Sequence, residues 1–338
     1  MNNWFQRIFA SILFVLTLCT CNKDMQIVAE NDPYCAACEP CENFPPDSSN
    51  IGRAYNFLYG QRKAPCFNPL NKDEFIYVKE GTDSRQTSLV KYNLLSRTEN
   101  TILGNVSIYD QPKWAKNGWI VFTGMGPDLF KVKDNGDSLY QITKTGNSSF
   151  PEVNISQIYS TITSGSSKRA CILITDFWGK RLDSIPFSEL NNLYIMNLSI
   201  NNYDEMAGSD DYNLIYRNLL TKEFKQLTFD SATNKRSISG VCWHPNNTDI
   251  YYSAWASGRN NTSFLGINRI NKNTKENVLL KKGCHARGYS FLSISPDGKK
   301  ILVERQDESL SQDKGTVTIK SDIYMMDIDG RNEEKVFK

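Results

Sequence analysis

The stretch that most constrains this chain runs from Tyr289 to Gly330. It reads Phe291-Leu-Ser-Ile-Ser-Pro-Asp-Gly-Lys-Lys-Ile-Leu-Val-Glu304, then a polar insert, then Asp322-Ile-Tyr-Met-Met-Asp-Ile-Asp-Gly330. An apolar strand runs into a tight turn at Pro296-Asp297-Gly298, and a second strand, Lys300 to Glu304, follows at once. Proline presets the turn, aspartate bonds the backbone beside it, and glycine takes the positive-φ position. A third strand, Ile323 to Met326, ends in another Asp-Gly turn at Asp329-Gly330. Short strands joined by such turns make an antiparallel meander.

Fainter copies recur upstream. The first opens with Cys66-Phe-Asn-Pro69 and Phe75-Ile-Tyr-Val78. The second holds Lys113-Trp114 and Ile120-Val-Phe-Thr123, and the third Phe150-Pro-Glu-Val153 and Gln157-Ile-Tyr-Ser160. A degenerate fourth is read as Asn192 to Met196, Leu214 to Arg217 and Phe224 to Thr228. The fifth has Gly240-Val-Cys-Trp-His-Pro245 and Asp249-Ile-Tyr-Tyr252. A repeat of roughly 40 to 50 residues marks propeller blades of four strands each. No segment keeps a 3.6 period, so helix should be scarce. A blade cannot bury both faces alone, but a radial stack can. The expectation is an all-β fold, a six-bladed β-propeller of four-stranded antiparallel blades over residues 61–338.

The amino terminus reads as a targeting segment. Met1 to Arg7 is short and basic and Ile8 to Leu18 apolar, too short a run to span a bilayer. It ends in Leu18-Cys-Thr-Cys21, which resembles a bacterial lipobox. Residues 1–20 are then a lipoprotein signal peptide, and Cys21 is the lipidation site and the first mature residue. Residues 21–60 read as a polar tether with Pro40, Pro45 and Pro46. Inside it lies Cys35-Ala-Ala-Cys38-Glu-Pro-Cys41. Metal or iron–sulfur ligation would want a fourth ligand at proper spacing. A small disulfide knot is the preferred reading, with Cys66 as the residue that pins the tether to the propeller. Export brings these thiols into an oxidising compartment. Of the nine cysteines, Cys19 leaves with the signal and Cys21 takes the lipid, so an odd seven remain.

Composition narrows the function classes. Formal net charge is only +2 over 338 residues, with Lys and Arg spread along the chain. Nucleic-acid binding calls for a basic patch, and none is evident. His244 and His285 are the only histidines, too few for a His-built metal site or triad. No Gly-x-Ser-x-Gly elbow occurs, and no enzymatic activity is expected. Neither is a cofactor or metal, beyond the lipid on Cys21. Asp204, Glu205, Asp210 and Asp211 could offer oxygen ligands to calcium, but without an Asp-x-Asp-x-Asp-Gly loop a solvated acidic loop is the better reading.

The last meander resembles the WD40-like repeat of the TolB propeller family, and Cys242-Trp-His-Pro245 and Lys113-Trp-Ala-Lys-Asn-Gly118 match that pattern less fully. The resemblance covers residues 61–338. It implies a six-bladed propeller in the cell envelope of a Gram-negative, Bacteroidota-like bacterium, with a protein-binding role. The expected address is the outer membrane, on its periplasmic face or at the cell surface. The expected partner is an envelope or outer-membrane protein, with the propeller monomeric outside that complex. The alternative is a surface propeller that binds or degrades carbohydrate, with Trp255 and the tyrosines stacking on sugars.

Binding residues are sought on long loops, where rigid scaffolds carry function. The inserts 80–88, 161–169, 196–213, 254–263 and 305–320 are read as joining second to third strands, on one loop-rich face. Tyr203, Asp204, Glu205, Trp255, Arg259, His285, Arg305 and Asp307 are the candidate contacts, since Trp, Tyr and Arg anchor interfaces. His244 beside Pro245 reads as structural.

Overall fold

The computed structural model describes residues 54–58, 60–82, 86–162, 171–191, 193, 195–210, 212–229, 236–256, 266–283, 287–310 and 316–337. They form six sheets in sequence order. Blade 1 is β2 (Arg62–Asn68), β3 (Asn71–Glu80), β4 (Thr87–Asn93) and β5 (Thr98–Val106). Blade 2 is β6 (Lys113–Trp114), β7 (Trp119–Gly124), β8 (Asp128–Lys133) and β9 (Tyr140–Gln141). Blade 3 is β10 (Ser148–Val153), β11 (Gln157–Ile162), β12 (Cys171–Asp176) and β13 (Arg181–Pro186). Blade 4 is β14 (Met196–Ile200), β15 (Glu205–Ser209), β16 (Leu214–Asn218) and β17 (Phe224–Gln226). Blade 5 is β18 (Arg236–Trp243), β19 (Asp249–Ala256), β20 (Gly266–Asn271) and β21 (Asn277–Lys282). Blade 6 is β22 (Arg287–Ile294), β23 (Lys300–Leu310), β24 (Thr316–Asp327) and β25 (Glu334–Lys335). Within each blade neighbouring strands pair antiparallel. The one described helix is the short 3-10 turn Phe187–Leu190. This is the six-bladed, four-stranded propeller that the repeat predicts.

The second strand of each blade explains the packing. In β3, Phe75, Ile76, Tyr77 and Val78 are all buried, so the strand is covered on both faces. Alternate residues go to opposite neighbours. Ile76 and Val78 pack with Trp114, Ile120 and Phe122 of blade 2, while Phe75 and Tyr77 pack with Leu302 and Ile323 of blade 6. The other interfaces repeat the scheme, giving one apolar cluster between each pair of adjacent blades. That is why these strands read as continuous apolar runs and not as alternation.

Two devices close the ring between blades 6 and 1. Phe337, just beyond β25, sets its ring 4.7 Å from Tyr92 and 5.2 Å from Tyr77 of blade 1, with the Arg62 guanidinium 4.2 Å from its centroid. From the other end of the chain, β1 (Ala54–Phe57) pairs in parallel with the start of β24, Ala54 opposite Thr316 and Phe57 opposite Ile319. The Leu58 N–H donates to Ile319 O at 3.2 Å. β1 lies inside the stretch expected to be tether. The fourth blade also differs from expectation. The stretch 196–213 is not a long insert: it holds all of β14, blade 4's first strand, and all of β15. Similarly, 305–320 is mostly paired strand, because β23 and β24 stay in register out to Leu310 opposite Val317.

Candidate functional site

The axis of the propeller is lined by the six first strands, each touching the next. Five of them carry a register shift: β2 at Lys63/Cys66, β10 at Ser149/Glu152, β14 at Met196/Ser199, β18 at Ile238/Gly240 and β22 at Ser290/Ser293. In four of these bulges a non-glycine residue takes a left-handed φ: Ala64 at 54°, Phe150 at 52°, Asn197 at 50° and Phe291 at 49°. For a phenylalanine that conformation costs about 1–3 kcal/mol and persists only where the surroundings over-determine it. Side chains borrowed from elsewhere in the ring do so. Glu304 Oε2 accepts the Ala64 N–H at 3.1 Å, and Asp110 Oδ2 accepts the Phe150 N–H at 2.9 Å. Asn197 Nδ2 donates to Ile238 O at 2.8 Å. Gln111 Nε2 donates to both Pro65 O and Leu292 O, at 2.6 and 3.2 Å.

Just past the bulges, each blade sends one residue into a common belt: Cys66, Lys113, Glu152, Ser199, Cys242 and Ser293. Four follow one rule, in which the side chain accepts the N–H that follows the belt residue of the next blade. Ser293 Oγ takes Phe67 N–H at 2.9 Å, and Ser199 Oγ takes Trp243 N–H at 3.3 Å. Cys66 Sγ takes the Trp114 N–H and Cys242 Sγ that of Ile294. Lys113 cannot accept, and the rule breaks there. The Glu152 carboxylate fills the gap: it meets Lys113 Nζ at 2.9 Å and accepts the Val153 N–H at 3.2 Å.

The belt binds the blades together and offers little reactivity. Burial pushes both thiols up, Cys242 to about 12, and outweighs the nearby Lys113 ammonium. Neither is a thiolate near neutral pH, so neither is a ready nucleophile or soft-metal ligand. Among the described residues no group of three His, Cys, Asp or Glu side chains could hold a metal ion. On the side of the belt nearer the blade-to-blade links lies a recess lined by Asp110, Gln111, Lys113, Phe150, Asn197 and Phe291, with about 310 Å³ of empty space counting its open mouth.

The two ends of the propeller differ in character. At one end lie the blade-to-blade links and the loops between second and third strands; at the other lie the shorter turns. Tyr203 and Asp204 belong to the turn between β14 and β15, hence to the short-turn end, opposite the loop-rich face on which the sequence placed them. Tyr203 is 65% exposed. Glu205 is buried instead: its carboxylate takes Lys272 Nζ, Tyr216 Oη and Asn201 Nδ2, at 2.5, 2.8 and 2.6 Å. Burial pushes its pKa up, but those hydrogen bonds outweigh burial and hold it below the ordinary carboxylate value. Arg305 and Asp307 lie within β23. Arg305 bonds Asp307 at 2.9 Å and Glu333 at 3.2 Å and stacks on Tyr324, and Arg287 also reaches Asp307 at 2.8 Å. Trp255 is a residue of β19 whose side chain lies outside the described residues, as do Arg259 and His285. Cys21, Cys35, Cys38 and Cys41 lie outside them too. Cys66 is a free thiol in the belt. His244 is structural: Nε2 meets Gly298 O at 3.1 Å and the ring stacks on Tyr251.

The sequence reading passed over the short turns. Leu70 and Ile155 lead from first to second strands, Leu95 and Leu220 from third to fourth, and with Tyr203 each is more than 60% exposed. All five belong to blades 1, 3 and 4, and Trp178, 66% exposed in the third-to-fourth turn of blade 3, joins them. The corresponding turns of blades 5 and 6 carry His244-Pro-Asn-Asn-Thr248 and Pro296-Asp-Gly-Lys299. Apolar residues at turn tips, where polar ones are usual, were the signal to follow.

No family model matches the chain, and no curated protein matches it in sequence. Solved structures match it in fold. An oligogalacturonate lyase in complex with manganese aligns with a TM-score of 0.51 at 10% identity, over 86% of this chain and 78% of that one. The β-propeller domain of the Trilobed protease from Pyrococcus furiosus aligns at 0.50 and 9% identity, over 83% and 96%. TolB from Acinetobacter baumannii aligns at 0.41 and 15% identity, over 76% and 77%. At such identities the likeness to the lyase and to the Trilobed protease domain speaks for the β-propeller fold alone.

Proposed function

We propose that this chain is a lipid-anchored propeller of the cell envelope and a protein-binding scaffold, docking its partner through the short-turn end of blades 1, 3 and 4. The observation that carries the reading is the uneven surface: Leu70, Leu95, Ile155, Tyr203 and Leu220 are exposed at the turns of blades 1, 3 and 4, and the first-to-second turns of blades 2, 5 and 6 are polar. Large apolar residues exposed at turn tips of a rigid scaffold are what an interface can use. The entry point of the chain supports this orientation. β1 begins opposite Thr316, the first residue of β24, so the preceding segment leaves at the loop-rich end. The short-turn end is the one opposite that entry point.

Native gel electrophoresis of envelope complexes tests the docking. Leu70→Glu/Ile155→Glu/Tyr203→Glu should release the propeller from its complex, whereas alanines at Asn246, Asn247 and Asp297 should leave it bound. The reverse pattern refutes the sector assignment. Anchoring is checked separately: Cys21→Ser should abolish incorporation of labelled palmitate, and label retained in that variant would disprove the anchor.

A further inference from the structure

Blades 2 and 3 meet at an aromatic corner on the same short-turn end, where the third-to-fourth turn of blade 3 packs against blade 2. Trp119 opens β7, Tyr140 opens β9, and Trp178 sits in the turn between β12 and β13. Between them lies Lys131 of β8, fully buried. Its ammonium is 3.5 Å from the Trp178 centroid, 4.3 Å from that of Trp119 and 5.1 Å from that of Tyr140, and it donates to Phe177 O at 2.5 Å. Trp178 meets Trp119 edge-on at 6.4 Å and 77°, and Tyr140 at 6.1 Å and 72°.

The turn is as fixed as the ring. Asp176 Oδ1 accepts the Trp178 N–H at 2.8 Å and the Lys180 N–H at 2.9 Å. Gly179, at φ 84°, presses so close to blade 2 that a Cβ would stand 2.4 Å from Ile142 O. Trp178 is therefore held by its backbone, by two ring neighbours and by a cation under one face, yet it is 66% exposed. The opposite face of the indole is what meets solvent. Tyr140, also exposed, stands beside it at nearly a right angle. Lys133 covers Trp119 at 4.1 Å and Lys180 follows in the turn. Among the described residues, none of Lys131, Lys133 and Lys180 makes an ion pair.

We propose that this corner is a saccharide-binding site, in which one pyranose ring lies on the outer face of Trp178 with its edge against Tyr140, and acidic polysaccharides bind better than neutral ones. A pyranose presents an apolar C–H face that matches a flat, immobile aromatic plate, and a preorganised plate loses little entropy on binding. A quaternary ammonium, the other usual guest of an aromatic cage, finds the cage already filled by the protein's own lysine. A protein partner is better served by a side chain free to insert into a pocket, which this clamped ring is not. The lysines under and beside the rings favour a carboxylate or sulfate on the sugar.

Affinity electrophoresis of the full chain in gels containing polygalacturonate or dextran tests the site. The chain should be retarded by polygalacturonate and less by dextran. Trp178→Ala should weaken retardation about tenfold, the size of one aromatic stacking contact, while circular dichroism shows the propeller still folded at the assay temperature. Tyr203→Ala, a docking tip in a different turn and blade, should change nothing here, so failure of the saccharide site is told apart from failure of the docking proposal. No retardation of the unmodified chain by either polymer, or equal retardation of Trp178→Ala, overturns the site. Equal retardation by both polymers overturns the acidic preference.

Discussion

Lys113 and Glu152 are the residues on which the axis depends. Their side chains are 14% and 10% exposed and bonded to each other, where the other four belt positions use a hydroxyl or thiol to accept a neighbour's N–H. Removing one partner strands the other charge in a place that water barely reaches. Lys113→Met should cost about 3–5 kcal/mol in denaturant unfolding, and adding Glu152→Leu should recover much of it. If the single variant costs nothing, the pair is not the clamp described. The belt cysteines give an independent readout. With their thiols held protonated, Cys66 and Cys242 should resist alkylation at pH 8 until the chain is unfolded, as mass spectrometry would show. Glu205 governs the acid limb. Its pKa is lower in the folded chain than the roughly 4.3 of an unfolded glutamate, so its contribution is complete above that value and is lost as pH falls through the depressed one. The stability of Glu205→Gln should therefore change less between pH 5 and 3 than that of the parent, in a series of urea titrations.

At the scale of elements, closure of the ring is the weak point. Phe337 is the last large side chain of the described chain, and Phe337→Ala should cost about 3–5 kcal/mol by emptying the space among Tyr77, Tyr92 and Arg62. Leu58→Pro, which deletes the N–H bonded to Ile319, should lower the melting temperature by calorimetry. The two variants lie on opposite ends of the chain and act on one joint. The sequence shows such features unevenly. The turn at Ser295-Pro-Asp-Gly298 is legible because it is local: Ser295 Oγ and Asp297 Oδ1 both reach the backbone of Lys299. β15 is not legible. Glu205-Met-Ala-Gly-Ser209 lacks β-branched and aromatic residues, and Gly208 is small because a Cβ there would stand 2.7 Å from Ile195; close packing looks like a loop. β1 is hidden for another reason. Its partner is some 260 positions away, as Ala54 opposite Thr316 shows, and no local pattern announces a parallel strand. Missing β15 placed Tyr203 and Glu205 in one insert, although one is a turn tip and the other a buried ion-pair partner.

For the whole molecule, two unlike ends follow from one topology. Six blades stitched at a belt make a stiff disc, and stiffness makes a scattered set of turn residues act as one surface. The apolar tips sit on the short-turn end of blades 1, 3 and 4, and β1 begins at the other end. Site-specific photo-crosslinking in the native host tests the docking surface most directly, with a photoreactive amino acid at position 203 in one strain and at position 247 in another. The expected result is a discrete crosslinked partner from position 203 and none from position 247. Crosslinks from 247 alone, or from neither position while a loop-rich-face position such as 109 captures the partner, would contradict it.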